Sequence, residues 1–182
     1  MQGVVFVKFC DLVTDQFGID TLNQVIDKCQ LESEGIFTAG DEYPSSELLS
    51  MVNELALQTD VSVGVLVRTF GTYLFTALID SIDLPNKEKL GTLKLLTQVE
   101  DVIHHEVRRL YINAYVPSMS YEYLSESELR IAYHSRRKLC LLAEGLILGA
   151  AAYYGESVEV SQSQCAHQGA ETCHINVKVV NE

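Results

Sequence analysis

The 182-residue chain has little positive charge. Thirteen Lys and Arg stand against 25 Asp and Glu, a net charge of −12, and the pI is near 4.8. No basic stripe offsets the acid, so neither nucleic acid nor an anionic membrane surface is an expected partner. The opening Met1-Gln-Gly-Val-Val-Phe-Val-Lys-Phe-Cys10 has no basic start and no small-residue cleavage site, so no signal peptide is expected. The longest apolar run, Leu139 to Gly155, is interrupted by Glu144 and is too short to span a bilayer. Only five cysteines occur. That odd number disfavours a disulfide framework and favours reduced thiols or a metal. The expected location is cytoplasmic. A Gly-rich phosphate loop, a nucleophile elbow and a paired-acid spacing are missing too. His134 and Ser135 are neighbours on an expected strand, so they face opposite ways and cannot act as a nucleophile and its base. The chain therefore reads as a binding protein and not as an enzyme.

What is present is apolar content, 47% of the residues, enough for one substantial domain. The first half reads as helices. Val4 to Phe17 stops at Gly18, and Asp20 is the expected cap of a second helix with Leu22, Val25, Ile26 and Cys29. Glu34 to Tyr43 reads as a loop. Pro44-Ser-Ser-Glu47 opens a third helix carrying Leu48, Leu49, Val52, Leu55 and Ala56, and Asp60 caps a fourth that runs to about Asp80. Pro85 and Gly91 then break the chain. A long helical stretch, roughly Asn86 to Tyr111, places Leu90, Leu93, Leu96, Val99, Ile103, Val107 and Leu110 on one buried stripe.

From Val116 the period changes to two. Strands are expected near Tyr121, over Glu128 to Arg137, and at Ser157 to Gln164 and Thr172 to Val180, the last two joined by a turn at His167 to Ala170. A helix from about Lys138 to Tyr154 lies between them. Its expected inward face is Leu139, Leu142, Ala143, Leu146, Gly149 and Ala150. Gly145 and Gly149 allow close approach of a backbone or a flat ring, with helix packing the simpler reading. No internal repeat or low-complexity linker appears. The expected fold class is α+β, a single domain over 1–182: an N-terminal helical half, then an antiparallel sheet with packed helices. A slot between the halves suits a cofactor.

Two polar features stand out. In Glu128-Leu-Arg-Ile-Ala-Tyr-His-Ser-Arg-Arg137, alternation puts Leu129, Ile131, Tyr133, Ser135 and, if the strand continues, Arg137 on one face. A phenol, a hydroxyl and a rigid guanidinium fork then converge on an otherwise apolar face. They suit a buried anion with several oxygens. On the strand alone, an inward Arg paired with one of the chain's many acids, with Tyr and Ser as ordinary strand residues, is the plainer reading. The second feature is His104, at the edge of the apolar helix stripe beside Ile103. A structural histidine explains it, and so does a haem ligand.

Taken together, His104, Pro117 and Tyr133-x-Ser135-x-Arg137 form the pattern H-x12-P-x15-Y-x-S-x-R. Over essentially the whole chain this resembles the heme-nitric oxide/oxygen-binding (H-NOX) family, in its stand-alone bacterial form related to the haem domain of soluble guanylate cyclase. The resemblance implies haem b buried between a helical subdomain, about 1–60, and a haem-binding helix and sheet subdomain, about 61–182. His104, picked by Asp101-Val-Ile-His104, is the implied axial ligand of the iron, with His105 on the outer side. Tyr133, Ser135 and Arg137 are the implied partners of the propionates. Pro117 is the implied wedge against the ring, and Val5, Phe9, Leu74, Leu142 and Leu146 line the pocket. Oxygen-binding members place a Tyr at the position of Leu142. Here every distal position is apolar, which departs from that pattern and points to NO. The implied function is NO sensing, in which the iron–His bond weakens or breaks and a partner, a histidine kinase or a cyclic-di-GMP enzyme, is regulated.

Cys140, Cys165 and Cys173, with His167 and His174 nearby, form a further set. Thiolate and imidazole suit Zn²⁺, while buried apolar thiols are the plainer reading. Some bacterial members of the family hold structural zinc here, with a His where this chain has Gln162. Either His167 takes that place or the site is empty. Two alternatives therefore stand beside the NO sensor: a zinc–thiol redox sensor built on these cysteines, and a module for an apolar ligand without haem.

Overall fold

The computed structural model describes residues 1–110 and 114–180. The expected helix end at Tyr111 and the side chain of Leu110 lie outside the described residues. Four helices open the chain: α1 (Gly3–Phe17), α2 (Ile19–Cys29), α3 (Ser45–Thr59) and α4 (Val63–Ser81). A 3-10 turn at Lys87–Lys89 precedes α5 (Thr92–Gln98), a π-helical segment (Val99–His104) and α6 (His105–Leu110). Strands β1 (Ser118–Ser125) and β2 (Glu128–His134), helix α7 (Cys140–Tyr154), and strands β3 (Ser157–Gln164) and β4 (Cys173–Val180) complete the α+β architecture. The sheet is antiparallel with order β1-β2-β4-β3.

Both expected caps are corrected. Gly18, with φ at 87°, precedes α2, and Asp20 sits inside its first turn, where its charge faces the positive helix end. Ser62 caps α4 by accepting from the Val65 amide, while Asp60 ends α3 in the left-handed region at φ 56°. Asp tolerates that conformation better than most residues, so it closes one helix and does not open the next.

The single long helix is also corrected. Its stripe is buried at Leu93 and Leu96 but only half-buried at Val99, Ile103 and Val107. A π turn carries i→i+5 bonds and shifts the faces of the residues after it, so a 3.6-residue stripe cannot continue through it. The turn ends on His104.

Helix α4 has the length and apolarity of a membrane span. Here it is a core helix: Leu66, Val67, Phe70, Leu74, Phe75 and Ile79 are buried. It crosses α7 closely enough that a Cβ on Gly145 would stand 2.1 Å from the Arg68 carbonyl oxygen, and one on Gly71 would stand 2.5 Å from that of Leu142. The glycines of α7 thus serve helix packing. The expected inward face of α7 is only partly right, since Leu139, Leu142 and Leu146 are half-buried while Cys140, Glu144 and Ile147 are buried.

Apolar clusters fill the interior. One joins α1–α4, with Phe6, Phe9, Val13, Met51, Leu55 and Phe70 at its centre. Another lies under the sheet, with Leu129, Ile131, Ile175 and Val177 from alternate positions of β2 and β4.

Candidate functional site

His104 closes the π segment, and its side chain is 13% exposed. Its Nδ1 lies 3.0 Å from Glu100 Oε2, one helical turn earlier. The other Glu100 oxygen accepts from Arg108 at 2.5 Å. Burial holds the imidazole below its ordinary pKa, against the opposing pull of Glu100. Glu100 would be raised by burial, yet its bonds to His104 and Arg108 outweigh this and lower it. The ring is therefore neutral at neutral pH, the state in which it can ligate a metal. Pro117, the expected wedge, is half-buried and directly precedes β1.

Strand β2 ends at His134, so the expectation that it continues to Arg137 is corrected. Ser135 and Arg137 lie in the turn that follows, closed by the Lys138 amide donating to the Ser135 carbonyl and by Lys138 at φ 52°. The three side chains still gather. Tyr133 is 4% exposed, and burial, opposed by a hydrogen bond with Ser135, pushes its pKa up to about 12. Ser135 Oγ accepts from the Arg137 amide at 3.2 Å. The Arg137 guanidinium donates to the Tyr115 carbonyl at 2.9 Å and lies over the Tyr115 ring at 4.9 Å, with Arg136 over the same ring at 4.1 Å. Among the described residues, Arg137 forms no ion pair with a carboxylate. Pairing with one of the chain's acids therefore does not explain it. Both arginines line an open recess of about 500 Å³ with Ser45, Ser46 and Leu49 of α3.

The expected pocket residues come together as well. Phe9 and Leu74 are buried in the α1–α4 cluster, and Val5, Leu142 and Leu146 pack against it. A neutral imidazole, an anion-ready guanidinium beside a recess, and an apolar wall are what a haem requires. The residues fit that group. Two further residues of this site were not marked by sequence reasoning. Glu100 was legible as a carboxylate four residues before a helical His; Tyr115 carries no sequence signal of its role.

The thiols of Cys140, Cys165 and Cys173 lie within 4.8 Å of one another, with Cys140 Sγ and Cys165 Sγ 3.8 Å apart. His167 is outside that close set, and its Nε2 bonds to the Lys138 carbonyl at 2.8 Å. Burial, reinforced by the neighbouring Cys173 and opposed by a bond to Gln162, pushes the Cys140 thiol up to about 12. Gln162 also donates to Glu144 at 2.6 Å. Glu144 is 5% exposed and is held by Arg68 of α4 at 2.8 Å. This charge network too escaped sequence reasoning, although a lone Glu in an apolar helix announces a buried partner.

A family model described as Haem-NO-binding matches residues 2–162. Over all of both chains, the fold is similar to an H-NOX protein from S. oneidensis in the Fe(II)NO ligation state, with 29% identity and a TM-score of 0.88. It is similar to an unliganded Fe(II) H-NOX protein from K. algicida at 28% identity and a TM-score of 0.89, covering 100% of this chain and 98% of that one. It is also similar to the IWP-051-bound H-NOX from Shewanella woodyi in the Fe(II)CO ligation state, at 33% identity and a TM-score of 0.83, covering 99% and 95%. No curated protein sequence matches the chain.

Proposed function

The chain belongs to the haem-NO-binding, or H-NOX, family, whose members are haem-based gas sensors and not enzymes, and from that premise we propose that it is a nitric oxide sensor. The observation that carries the NO reading is the apolar cluster of Val5, Phe9, Leu74, Leu142 and Leu146. Bound oxygen takes up negative charge and needs a hydrogen-bond donor; these side chains offer none, whereas NO needs far less help. Haem b, when bound, supplies the iron that takes the gas and whose bond to histidine NO weakens.

The chain's own residues have distinct parts in this reading. His104 holds the iron through the nitrogen that does not face Glu100. Arg137, Ser135 and Tyr133 take the propionates, the guanidinium as a charge-assisted fork. Pro117 presses on the ring with its fixed φ. The neutral His104 is the mobile tie, because it ends a π segment in which no residue is fully buried. Its release changes the helical surface read by a partner enzyme, a histidine kinase or a cyclic-di-GMP enzyme. The division at about residue 60 into a helical and a haem-binding subdomain belongs to the same proposal, as does a cytoplasmic location.

Purified protein should be coloured, with a Soret band. The ferrous form should stay unoxygenated in air over short times and respond to NO with a Soret band at shorter wavelength. His104→Gly should hold haem poorly unless imidazole is supplied. A colourless parent, or a variant with normal haem content, would overturn the haem assignment; stable uptake of oxygen by the parent would overturn NO selectivity alone.

A second reading rests on the three close thiols. With zinc bound they would form a thiol redox sensor, and Gln162 leaves the fourth ligand in question. Metal analysis with and without peroxide decides it: no zinc in the untreated protein, or no loss on oxidation, removes this reading.

A further inference from the structure

A histidine that ligates a metal through one ring nitrogen is controlled through the other. In this chain the other nitrogen is accounted for. His104 Nδ1 lies 3.0 Å from Glu100 Oε2, and the pair is largely enclosed, with 13% and 19% side-chain exposure. The second Glu100 oxygen accepts from Arg108 at 2.5 Å. Glu100 and His104 both lie in the π segment and Arg108 in α6. The two contacts thus bring the three side chains together across the junction of the π segment and α6.

We propose that Glu100 is a positioning residue that fixes the His104 tautomer and strengthens its bond to iron, and that Arg108 moderates this effect. The proposal rests on the reading of His104 as the axial ligand. Its chemistry is direct. With Nδ1–H donating to a carboxylate, only Nε2 has a lone pair to offer a metal. The same hydrogen bond draws the proton toward Glu100 and pushes electron density onto the ring, so Nε2 becomes a better donor. Arg108 competes for the charge of that carboxylate, so it weakens the pull on the imidazole proton. The threshold at which NO displaces His104 is then set by two side chains that never touch the haem.

Resonance Raman spectroscopy of the ferrous holoprotein tests it through the iron–histidine stretch, with stopped-flow measurement of the rate at which NO displaces His104. Glu100→Gln keeps the size and an acceptor oxygen but loses the charge. It should lower the stretching frequency and speed displacement by roughly tenfold. Arg108→Gln should shift the stretch the opposite way, because Glu100 then keeps more of its charge for His104. A structural role alone would not give shifts of opposite sign in variants that both bind haem. Unchanged frequencies, or shifts of one sign in both, overturn the proposal. Should Glu100→Gln fail to hold haem, the Arg108→Gln shift decides alone: upward supports it, absent or downward sinks it. Failure of the axial assignment is separate, since it shows as normal haem and an unchanged spectrum in His104→Gly.

Discussion

The α4–α7 crossing and the segment Val99–Leu110 are built on opposite terms. At the crossing, Gly71 and Gly145 bring two backbones so close that neither tolerates a Cβ, and Glu144 is clamped from both sides by Arg68 and Gln162. In the other region a π turn carries His104, none of the turn's residues is fully buried, and the ion pairs Arg108–Glu100 and Arg109–Glu106 lie within the segment itself. Close packing resists small displacements, whereas a half-buried segment whose ion pairs are internal to it yields at low cost. The α4–α7 crossing is therefore the rigid partner, and the segment that carries His104 is the part able to respond.

The largest expected effect breaks the rigid side. Gly145→Ala puts a Cβ 2.1 Å from the Arg68 carbonyl oxygen and 2.8 Å from Gly71 Cα. Neither backbone can step aside, so the cost should be about 3 kcal/mol or more. In thermal unfolding of the parent and variant, that is a fall in Tm of about 6–12 °C. A loss below 2 °C would show that the crossing is looser than its geometry.

Arg137→Ala comes next, since it tests the turn that leads from β2 into α7. A hydrogen bond to a charged group contributes about 1.5–3 kcal/mol. Haem transfer to an acceptor protein should accelerate by roughly tenfold or more, and Ser135→Ala should do much less. Equal rates in both variants would remove the charge-assisted role of Arg137.

Leu142→Tyr uses the rigidity of α7 to hold a phenol in the pocket. One added neutral bond of about 1 kcal/mol should raise oxygen affinity by about fivefold to tenfold. Oxygen titration of the ferrous variant measures this, and unchanged affinity would place Leu142 outside the gas pocket. The smallest effect belongs to the yielding side. Val102→Ala, half-buried in the π segment, should cost about 1 kcal/mol or less. Amides of Val99 to Arg109 should exchange with deuterium faster than those of α4 and α7. A penalty equal to that of Gly145→Ala, or equal protection, would erase the contrast.

Much of this was legible before the fold was. Strand β3 occurs where alternation put it, α1 keeps its expected bounds to within a residue, and α3 starts where Pro44-Ser45-Ser46-Glu47 placed it. Local signals sufficed there, because Gly18 and Pro44 punctuate the chain and the apolar periods are clean. The errors arose where local signals compete. Asp60 and Ser62 are both good caps, and only the left-handed turn at Asp60 separates their roles. The apolar stripe through His104 looks continuous in sequence, yet contacts of this segment with β1 and its own charged pairs accommodate a π turn that spacing cannot announce. Strand β2 stops at His134 because Arg136 and Arg137 bind Tyr115, a partner some twenty residues away.

Residue types and their order were already set in the sequence: one histidine, one proline and the Tyr-Ser-Arg set at family spacing, apolar residues at Val5, Phe9, Leu74, Leu142 and Leu146, and three late thiols. Those follow from covalent order and from periods of two and 3.6. Only the tertiary structure decided which nitrogen of His104 is engaged, that Arg137 rests on Tyr115 and not on an acid, and that the α7 glycines face α4. It also decided that Gln162 faces Glu144 and Cys140 where His167 does not. Each of these depends on distances between segments far apart in the chain, and packing sets such distances, not local propensity.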